Sequence, residues 1–134
     1  MAQIRTSARA LIQRDGLLLV VRYRDGRGDW YTLPGGGQRH GEGLQAALVR
    51  EIAEETGARV RVGPLRFVGE CIAGPDSRAL PLDFHQVELF FSCEVIGPEP
   101  GSGAGAVSGG GTGAAGGGSL ASPAATFSMV YRSL

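Results

Sequence analysis

The sequence predicts an α/β (α+β) sandwich, in which a mixed β-sheet packs against a single helix. The 134 residues are enough for one domain with one sizeable core. One segment, residues 43–56, has the apolar spacing of a helix, and strand-like segments precede and follow it. A helix held between strands in this way indicates a sandwich with a mixed sheet.

The strands before the helix are predicted from apolar patterns and turn residues. Residues 4–13 alternate between the two faces of a strand, and an Asp-Gly pair at 15–16 then supplies a turn. Residues 17–23 form a nearly continuous apolar run, which is typical of a strand buried on both faces. We expect these two segments to pair as a hairpin. Residues 30–33 form a short aromatic strand that ends at Pro34.

The helix and the strands after it are predicted in the same way. The apolar side of the helix consists of Leu48, Val49, Ile52 and Ala53. Gly57 is suited to end the helix in the left-handed conformation. Residues 58–68 alternate as a strand, which continues at residues 71–72 after a break at Gly69. A further strand with clear alternation covers residues 84–96.

Composition divides the chain at residue 96. Residues 1–96 carry the predicted strands and helix, whereas residues 97–134 are rich in Gly, Ala and Ser. Between residues 100 and 131 there is no charged side chain. We expect residues 97–134 to be a flexible low-complexity tail, because this composition cannot bury enough apolar surface to fold alone. The sequence leaves open one short terminal strand over residues 127–131.

Charge and cysteine usage limit the partners and the compartment. Basic and acidic residues balance at thirteen each, so the formal net charge is zero. That balance argues against a broad nucleic-acid footprint and against an electrostatic membrane anchor. The longest purely apolar run, residues 17–21, is too short for a membrane span or a signal-peptide core. Cys71 and Cys93 lack metal-ligand spacing, so we expect free thiols in a reducing cytoplasm.

Three carboxylates lie close together on the predicted helix. Glu51, Glu54 and Glu55 fall within an arc of roughly 100° on a helical projection, so they project from one face. Like charges this close repel each other unless positive charge lies between them. Hard divalent cations such as Mg²⁺ take carboxylate oxygens as ligands and keep positions for water and phosphate. The helix is therefore predicted to hold a metal ion, although a solvated acidic face has the same charge pattern.

The segment around these carboxylates resembles the signature of the Nudix hydrolase family. That signature is a glycine, five residues, Glu, seven residues, and then Arg-Glu-apolar-x-Glu-Glu-x-Gly-apolar; residues 36–58 match every specified position. The matching residues are Gly36, Glu42, Arg50, Glu51, Ile52, Glu54, Glu55, Gly57 and Ala58. Ala58 is a soft match, since larger aliphatic side chains are commoner there. The resemblance extends over about residues 4–96, because the surrounding strands fall where that fold places them.

The resemblance implies a metal-dependent active site. Glu51, Glu54 and Glu55 would hold one to three Mg²⁺ or Mn²⁺ ions. The Gly36 carbonyl would be a further ligand, and Arg50 would hold a carboxylate in place by ion pairing. Glu51 or Glu54 would act as the general base, unless a carboxylate outside the signature does so.

The same resemblance implies hydrolysis of a pyrophosphate bond. The cations would activate a water that attacks one phosphorus in line, and they would offset the charge on the leaving phosphate. Family substrates are nucleoside diphosphates linked to another group, so the implied partner is a small nucleotide. A nucleoside triphosphate, a nucleotide sugar and a dinucleoside polyphosphate all stay open. Arg22 and Arg24, near the end of a central strand, are candidates for contacts with substrate phosphates.

The chain also departs from the family pattern. Members usually continue past the strand that ends near residue 96 with another strand and a helix, whereas the Gly/Ala/Ser-rich segment follows here. One hypothesis is that the reading frame shifts near residue 97. If the segment is genuine, we expect a pocket that is either open or completed by a second subunit, as in a homodimer. Two alternatives to an enzyme stay open, namely a non-catalytic nucleotide-binding or regulatory module and an inactive truncated copy.

Overall fold

The computed structural model describes residues 3–26, 28–75, 83–100 and 126–133. These residues form one helix and two four-stranded sheets, which confirms the predicted α/β class. The strands are β1 (Ile4–Leu11), β2 (Gln13–Arg14), β3 (Leu17–Asp25), β4 (Gly28–Thr32), β5 (Gly35–Gly37), β6 (Val60–Ile72), β7 (His85–Val95) and β8 (Thr126–Arg132), and the helix is α1 (Leu44–Thr56). Of the predicted tail, residues 101–125 lie outside the described part of the chain.

The first sheet is mixed and has the strand order β5–β1–β7–β6. Strand β1 runs parallel to β7, with Ala8 opposite Leu89, and antiparallel to β5, with Ala8 opposite Gly36. Strand β6 is antiparallel to β7. Parallel neighbours need a long connection, and here the connection from β1 to β7 contains α1. The glycine strand β5 thereby comes to lie beside the helix at one edge of the sheet.

The second sheet is built around β3. Its partners are β2 and β4, and also β8, in which Val130 lies opposite Val20. Residues 18–21 are buried, as expected for a strand covered on both faces. The terminal strand that the sequence left open is present as β8. Part of the segment 97–134 therefore contributes to the same fold as residues 1–96.

Two predictions about the strands were wrong. The segments 4–13 and 17–23 do not form one hairpin, because β1 joins the first sheet and, in the described residues, only the short stretch from Ile12 to Arg14 pairs back onto β3. The chain changes sheets at Ile12, whose side chain is 2% exposed and packs in the core. The predicted break at Gly69 is also misplaced, since β6 runs through Gly69. Its first irregularity lies between residues 62 and 65, where Pro64 lacks the N–H needed for regular pairing.

Helix α1 packs its apolar side against the first sheet. Leu48 and Ile52 are fully buried in a cluster with Ala8 of β1 and Phe91 of β7, whereas Ala53, predicted on the same side, is exposed. The helix ends as predicted at Gly57, which has a φ of 76° and donates its N–H to the Ala53 carbonyl. No helix in the described ranges has the length and apolar character needed to cross a bilayer.

Candidate active site

The glycine strand β5 lies against both β1 and α1. Its three residues are buried, and Gly35 has a φ of 136°, a conformation that favours glycine. A Cβ at Gly35 would collide with the carbonyl oxygen of Ala8. A Cβ at Gly36 would lie 2.5 Å from Cδ of Glu51. Only glycines therefore allow this backbone to approach β1 and the helix carboxylates so closely.

Glu51 is the buried carboxylate of the helix. The residue is 3% exposed, and its carboxylate lies directly against the backbone of Gly36. Arg50 Nη1 donates a hydrogen bond to Oε1 of Glu51 at 2.9 Å. Removing a carboxylate from water is costly unless it is paired, so this ion pair compensates the burial of Glu51.

Glu55 lies one helical turn further along α1 and is half-buried. Its Oε2 accepts a hydrogen bond from the Gly35 N–H at 3.3 Å. Burial is the main cause that raises the pKa of Glu55 to about 8, and the negative charges of Glu51 and Glu54 contribute to the rise. The positive charge of Arg9 and the bond from Gly35 oppose it. A negative charge on Glu55 is therefore unfavourable between the glycine strand and this end of the helix unless further positive charge lies beside it.

Glu54 is the exposed member of the three carboxylates, with a side chain that is 43% exposed. Its Oε2 lies 3.5 Å from Nη1 of Arg50, and its Oε1 lies 4.0 Å from Nη2 of Arg39. Both distances are long for ion pairs, so these partners hold the Glu54 carboxylate only loosely.

Arg50 connects the helix to the loop before it and to β5. Its Nε and Nη2 donate to the two carboxylate oxygens of Glu42 at 2.7 and 2.9 Å, and Nη2 also donates to the Gly37 carbonyl at 3.1 Å. This two-pronged bond from Arg50 lowers the pKa of Glu42 to about 2. Arg50 and Glu42 therefore form a clamp that holds β5 against α1.

The three carboxylates do not converge on one point. Among the residues that the structure describes, no three His, Cys, Asp or Glu side chains are gathered as metal ligands. Glu51 and Glu55 instead face the backbone of β5, and Glu54 faces two arginines. The donor set nevertheless fits a hard divalent cation, since it consists of carboxylate oxygens beside a glycine strand that no Cβ obstructs.

The two arginines proposed for phosphate contacts lie in the second sheet. Arg22 of β3 is half-buried and opposite Tyr31 of β4. Arg24 is exposed and bonds both carboxylate oxygens of Asp29, at 2.9 and 3.2 Å. Within the described part of the chain, neither arginine forms an ion pair with a carboxylate of α1. Their role in substrate binding stays a prediction.

Two residues near the site were not singled out from the sequence. Arg9 of β1 is 5% exposed and donates to the carbonyl of Gly35 at 3.1 Å. Tyr23 of β3 stacks on Trp30; burial raises its pKa, and the charge of Glu55 contributes to the rise. A charged residue between the two small apolar residues Ala8 and Ala10 is the signal that would have indicated Arg9.

Comparison with known proteins decides the family. The family model of the NUDIX domain matches residues 3–106 of this chain. The chain belongs to the Nudix hydrolase family. This confirms the resemblance seen in residues 36–58, and the predicted class of enzyme, a Nudix pyrophosphohydrolase, agrees with it.

Individual Nudix relatives support the assignment. The chain is 32% identical over 95 residues to the nucleoside triphosphatase NudI of Escherichia coli O139:H28, an alignment that covers 66% of this chain and 67% of the relative. NudI of Shigella flexneri matches to the same extent.

Solved structures support the fold. A MutT NUDIX hydrolase from Burkholderia pseudomallei superposes with a TM-score of 0.63 and 21% identity, covering 98% of this chain and 84% of the other. A UDP-X diphosphatase superposes with a TM-score of 0.64 and 19% identity over 99% of this chain. The present chain spans about half of that second protein, 52% of its length.

Proposed function

We propose that this Nudix protein hydrolyses a pyrophosphate bond in a small nucleotide with the help of a divalent cation, Mg²⁺ or Mn²⁺. The observation that carries the proposal is the contact between the glycine strand and the helix carboxylates. Glu51 lies against Gly36 with no room for a Cβ, and Glu55 accepts the N–H of Gly35. This contact brings backbone and carboxylate oxygens to one edge of the sheet, where a cation and a diphosphate can be held together.

We assign the side chains of the site different roles, according to their surroundings. The carboxylates of Glu51, Glu54 and Glu55 would hold the cation together with the carbonyl of Gly36. A divalent cation bound there supplies positive charge for the diphosphate and lowers the pKa of a bound water. The hydrogen bonds that Arg50 donates keep the Glu51 carboxylate and the Gly37 carbonyl in fixed positions.

Exposure supports Glu54 over Glu51 as the general base. A general base must reach the water from which it takes a proton. The Glu54 side chain is 43% exposed and only loosely held, whereas the Glu51 side chain is 5% exposed and bonded to Arg50 at 2.9 Å. We therefore assign proton transfer from the attacking water to a carboxylate oxygen of Glu54.

A nucleoside triphosphate is the substrate that we propose first. The relatives that are 32% identical carry the name nucleoside triphosphatase, and their similarity extends over about two thirds of the chain. Nucleotide sugars and dinucleoside polyphosphates are the alternatives. Arg22 remains our candidate for a phosphate contact, while Arg24 would first have to release Asp29.

The test is a Mg²⁺-dependent screen of the full chain with a nucleoside triphosphate, ADP-ribose and a dinucleoside polyphosphate. Glu54→Gln should lower turnover by about 100-fold or more, as expected on removal of a general base. Glu55→Gln should also lower it, and Glu94→Gln, an exposed position on β7, is the matched control. Folded wild-type protein with no turnover on any substrate would favour the binding module or the inactive copy. Unchanged turnover in both site variants would overturn the assignment of ligands.

We also propose a homodimer in the cytoplasm. In the described residues β6 is an edge of the first sheet, and its exposed large apolar side chains include Phe67, Val68 and Ile72. Two such edges are self-complementary when they pair antiparallel about a two-fold axis. Both cysteines are free thiols, which suits a reducing compartment. Sedimentation at several protein concentrations tests the dimer, and a monomer at all of them would contradict it.

A further inference from the structure

Arg9 is a buried arginine of β1 that lies between two small apolar residues. Its exposed fraction is 5%, and its neighbours Ala8 and Ala10 are fully buried. Burial of a guanidinium is costly unless its N–H groups are bonded and its charge is paired. The groups that Arg9 contacts therefore indicate its role.

Those partners are the backbone carbonyls that lead into the glycine strand. Arg9 Nη1 donates to the carbonyl of Leu33 at 3.2 Å and to that of Gly35 at 3.1 Å. The carbonyl between them, that of Pro34, accepts from the N–H of Ala10 at 2.8 Å. Three successive carbonyls before Gly36 are thus held by two adjacent residues of β1.

A carboxylate on the neighbouring strand lies beside the guanidinium. Nε of Arg9 lies 3.5 Å from Oε1 of Glu88 on β7, and the same oxygen accepts from Nε2 of Gln86 at 3.2 Å. The side chain of Glu88 is 21% exposed, and Gln86 is 1% exposed. Glu88 therefore supplies negative charge that partly compensates the burial of the Arg9 guanidinium.

Arg9 complements the clamp formed by Arg50 on the other side of Gly36. Arg50 holds the carbonyl of Gly37 at 3.1 Å, and Arg9 holds the carbonyl of Gly35 at 3.1 Å. Gly36, whose Cα lies against the Glu51 carboxylate, is situated between these two arginine-bonded glycines. Each flanking peptide is thus fixed by a planar group that can bond several acceptors at once.

We propose that Arg9 is a positioning residue of the active site, which orients the Gly35–Gly36 peptide against Glu51 and Glu55, with Glu88 compensating the buried charge of Arg9. This inference rests on the proposed function. Lysine would keep the positive charge but has a single nitrogen, so it could not hold the carbonyls of Leu33 and Gly35 with one nitrogen and lie beside Glu88 with another, as Arg9 does with Nη1 and Nε. Arg9→Lys is therefore the informative variant.

The experiment compares Arg9→Lys and Glu88→Gln with Arg61→Lys, an exposed arginine of the same sheet paired with Glu94. The dissociation constant for Mn²⁺, measured by electron paramagnetic resonance, is the readout that does not depend on activity. We expect Arg9→Lys to weaken Mn²⁺ binding, to lower kcat at saturating substrate, or both, by about 10- to 100-fold. This is the usual effect of replacing a residue that orients the ligands of a metal ion. Glu88→Gln should act in the same direction to a smaller extent, and Arg61→Lys should match the wild type.

If Arg9 has only a structural role, Arg9→Lys will lower Tm but leave the dissociation constant for Mn²⁺ and the kcat of the folded protein unchanged. That result would overturn the inference. If Arg9→Lys does not fold, the Glu88→Gln protein is the deciding variant. A dissociation constant for Mn²⁺ and a kcat equal to those of the wild type would overturn the inference, and a loss in either would support it. A wild-type chain that neither binds Mn²⁺ nor hydrolyses a nucleotide would overturn the proposed function and this inference together. An active wild type beside an unaffected Arg9→Lys overturns the role of Arg9 alone.

Discussion

Gly36→Ala is the substitution that most directly perturbs the contact between the glycine strand and the helix. Gly36 does not have a positive φ, so backbone conformation alone would accept alanine. The added Cβ would lie 2.5 Å from Cδ of Glu51 and 2.7 and 2.8 Å from its two oxygens. Cβ contacts under 3.0 Å essentially never occur, so the carboxylate or the strand must move.

The Glu51 side chain has little freedom to move. It is 3% exposed, and Arg50 holds its Oε1 at 2.9 Å. Overpacking of this kind lowers the free energy of unfolding by about 1–3 kcal/mol. For a domain of this size, each kcal/mol corresponds to a decrease in Tm of roughly 4 °C. A shift of a reacting group by about 1 Å can lower the rate by about 100-fold.

Gly26→Ala is the matched control for this prediction. Gly26 is exposed, has no positive φ, and has nothing within 4 Å of an added Cβ, so the change should stay within about 0.5 kcal/mol. Thermal unfolding and steady-state hydrolysis of a nucleoside triphosphate measure the two effects. A Gly36→Ala protein with the Tm and the turnover of Gly26→Ala would refute the reasoning.

Three further predictions concern the clamp and a half-buried thiol. Arg50→Lys should lower the free energy of unfolding, measured in urea, by about 1.5–3 kcal/mol, because one ammonium nitrogen cannot replace the separate bonds of Nε, Nη1 and Nη2 to Glu42, Glu51 and the Gly37 carbonyl. An unchanged urea midpoint would contradict this. Arg50 lowers the pKa of Glu42 from 4.5 to about 2, so the stability that Glu42 contributes is present above pH 4.5 and is lost as the pH falls towards 2. As the pH falls from 4.5 towards 2, the free energy of unfolding should therefore decrease more steeply in the wild type than in Glu42→Gln. Equal slopes in the two proteins would argue against the ion pair between Arg50 and Glu42. Burial raises the pKa of Cys93 to about 11, so a thiol reagent at neutral pH should label it far more slowly in the folded chain than in urea.

The helix and its signature were predictable because their information is local. Periodic apolar residues such as Leu48 and Ile52 define the buried side, and Gly57 defines the end. The fixed offsets between Gly36 and the carboxylates carry the family resemblance. For these features, residues close in sequence are also close in the structure.

The strand pairing was not predictable from local pattern. Alternation in residues 4–13 indicates a strand but not its neighbour, and the chain switches sheets at Ile12 because that side chain packs in the core. The contacts of Arg9 were not predictable for a related reason, since its partners Leu33 and Glu88 are distant in sequence. The pairing of β8 with β3 likewise joins segments about a hundred residues apart.

The central claim is that the carboxylates of α1 beside the glycine strand hold a divalent cation. Titration of the full chain with Mn²⁺, followed by electron paramagnetic resonance, tests it most directly. We expect saturable binding by the wild type, and binding weakened by about tenfold or more in a folded protein carrying both Glu54→Gln and Glu55→Gln. Equal affinity in the two proteins would contradict the claim.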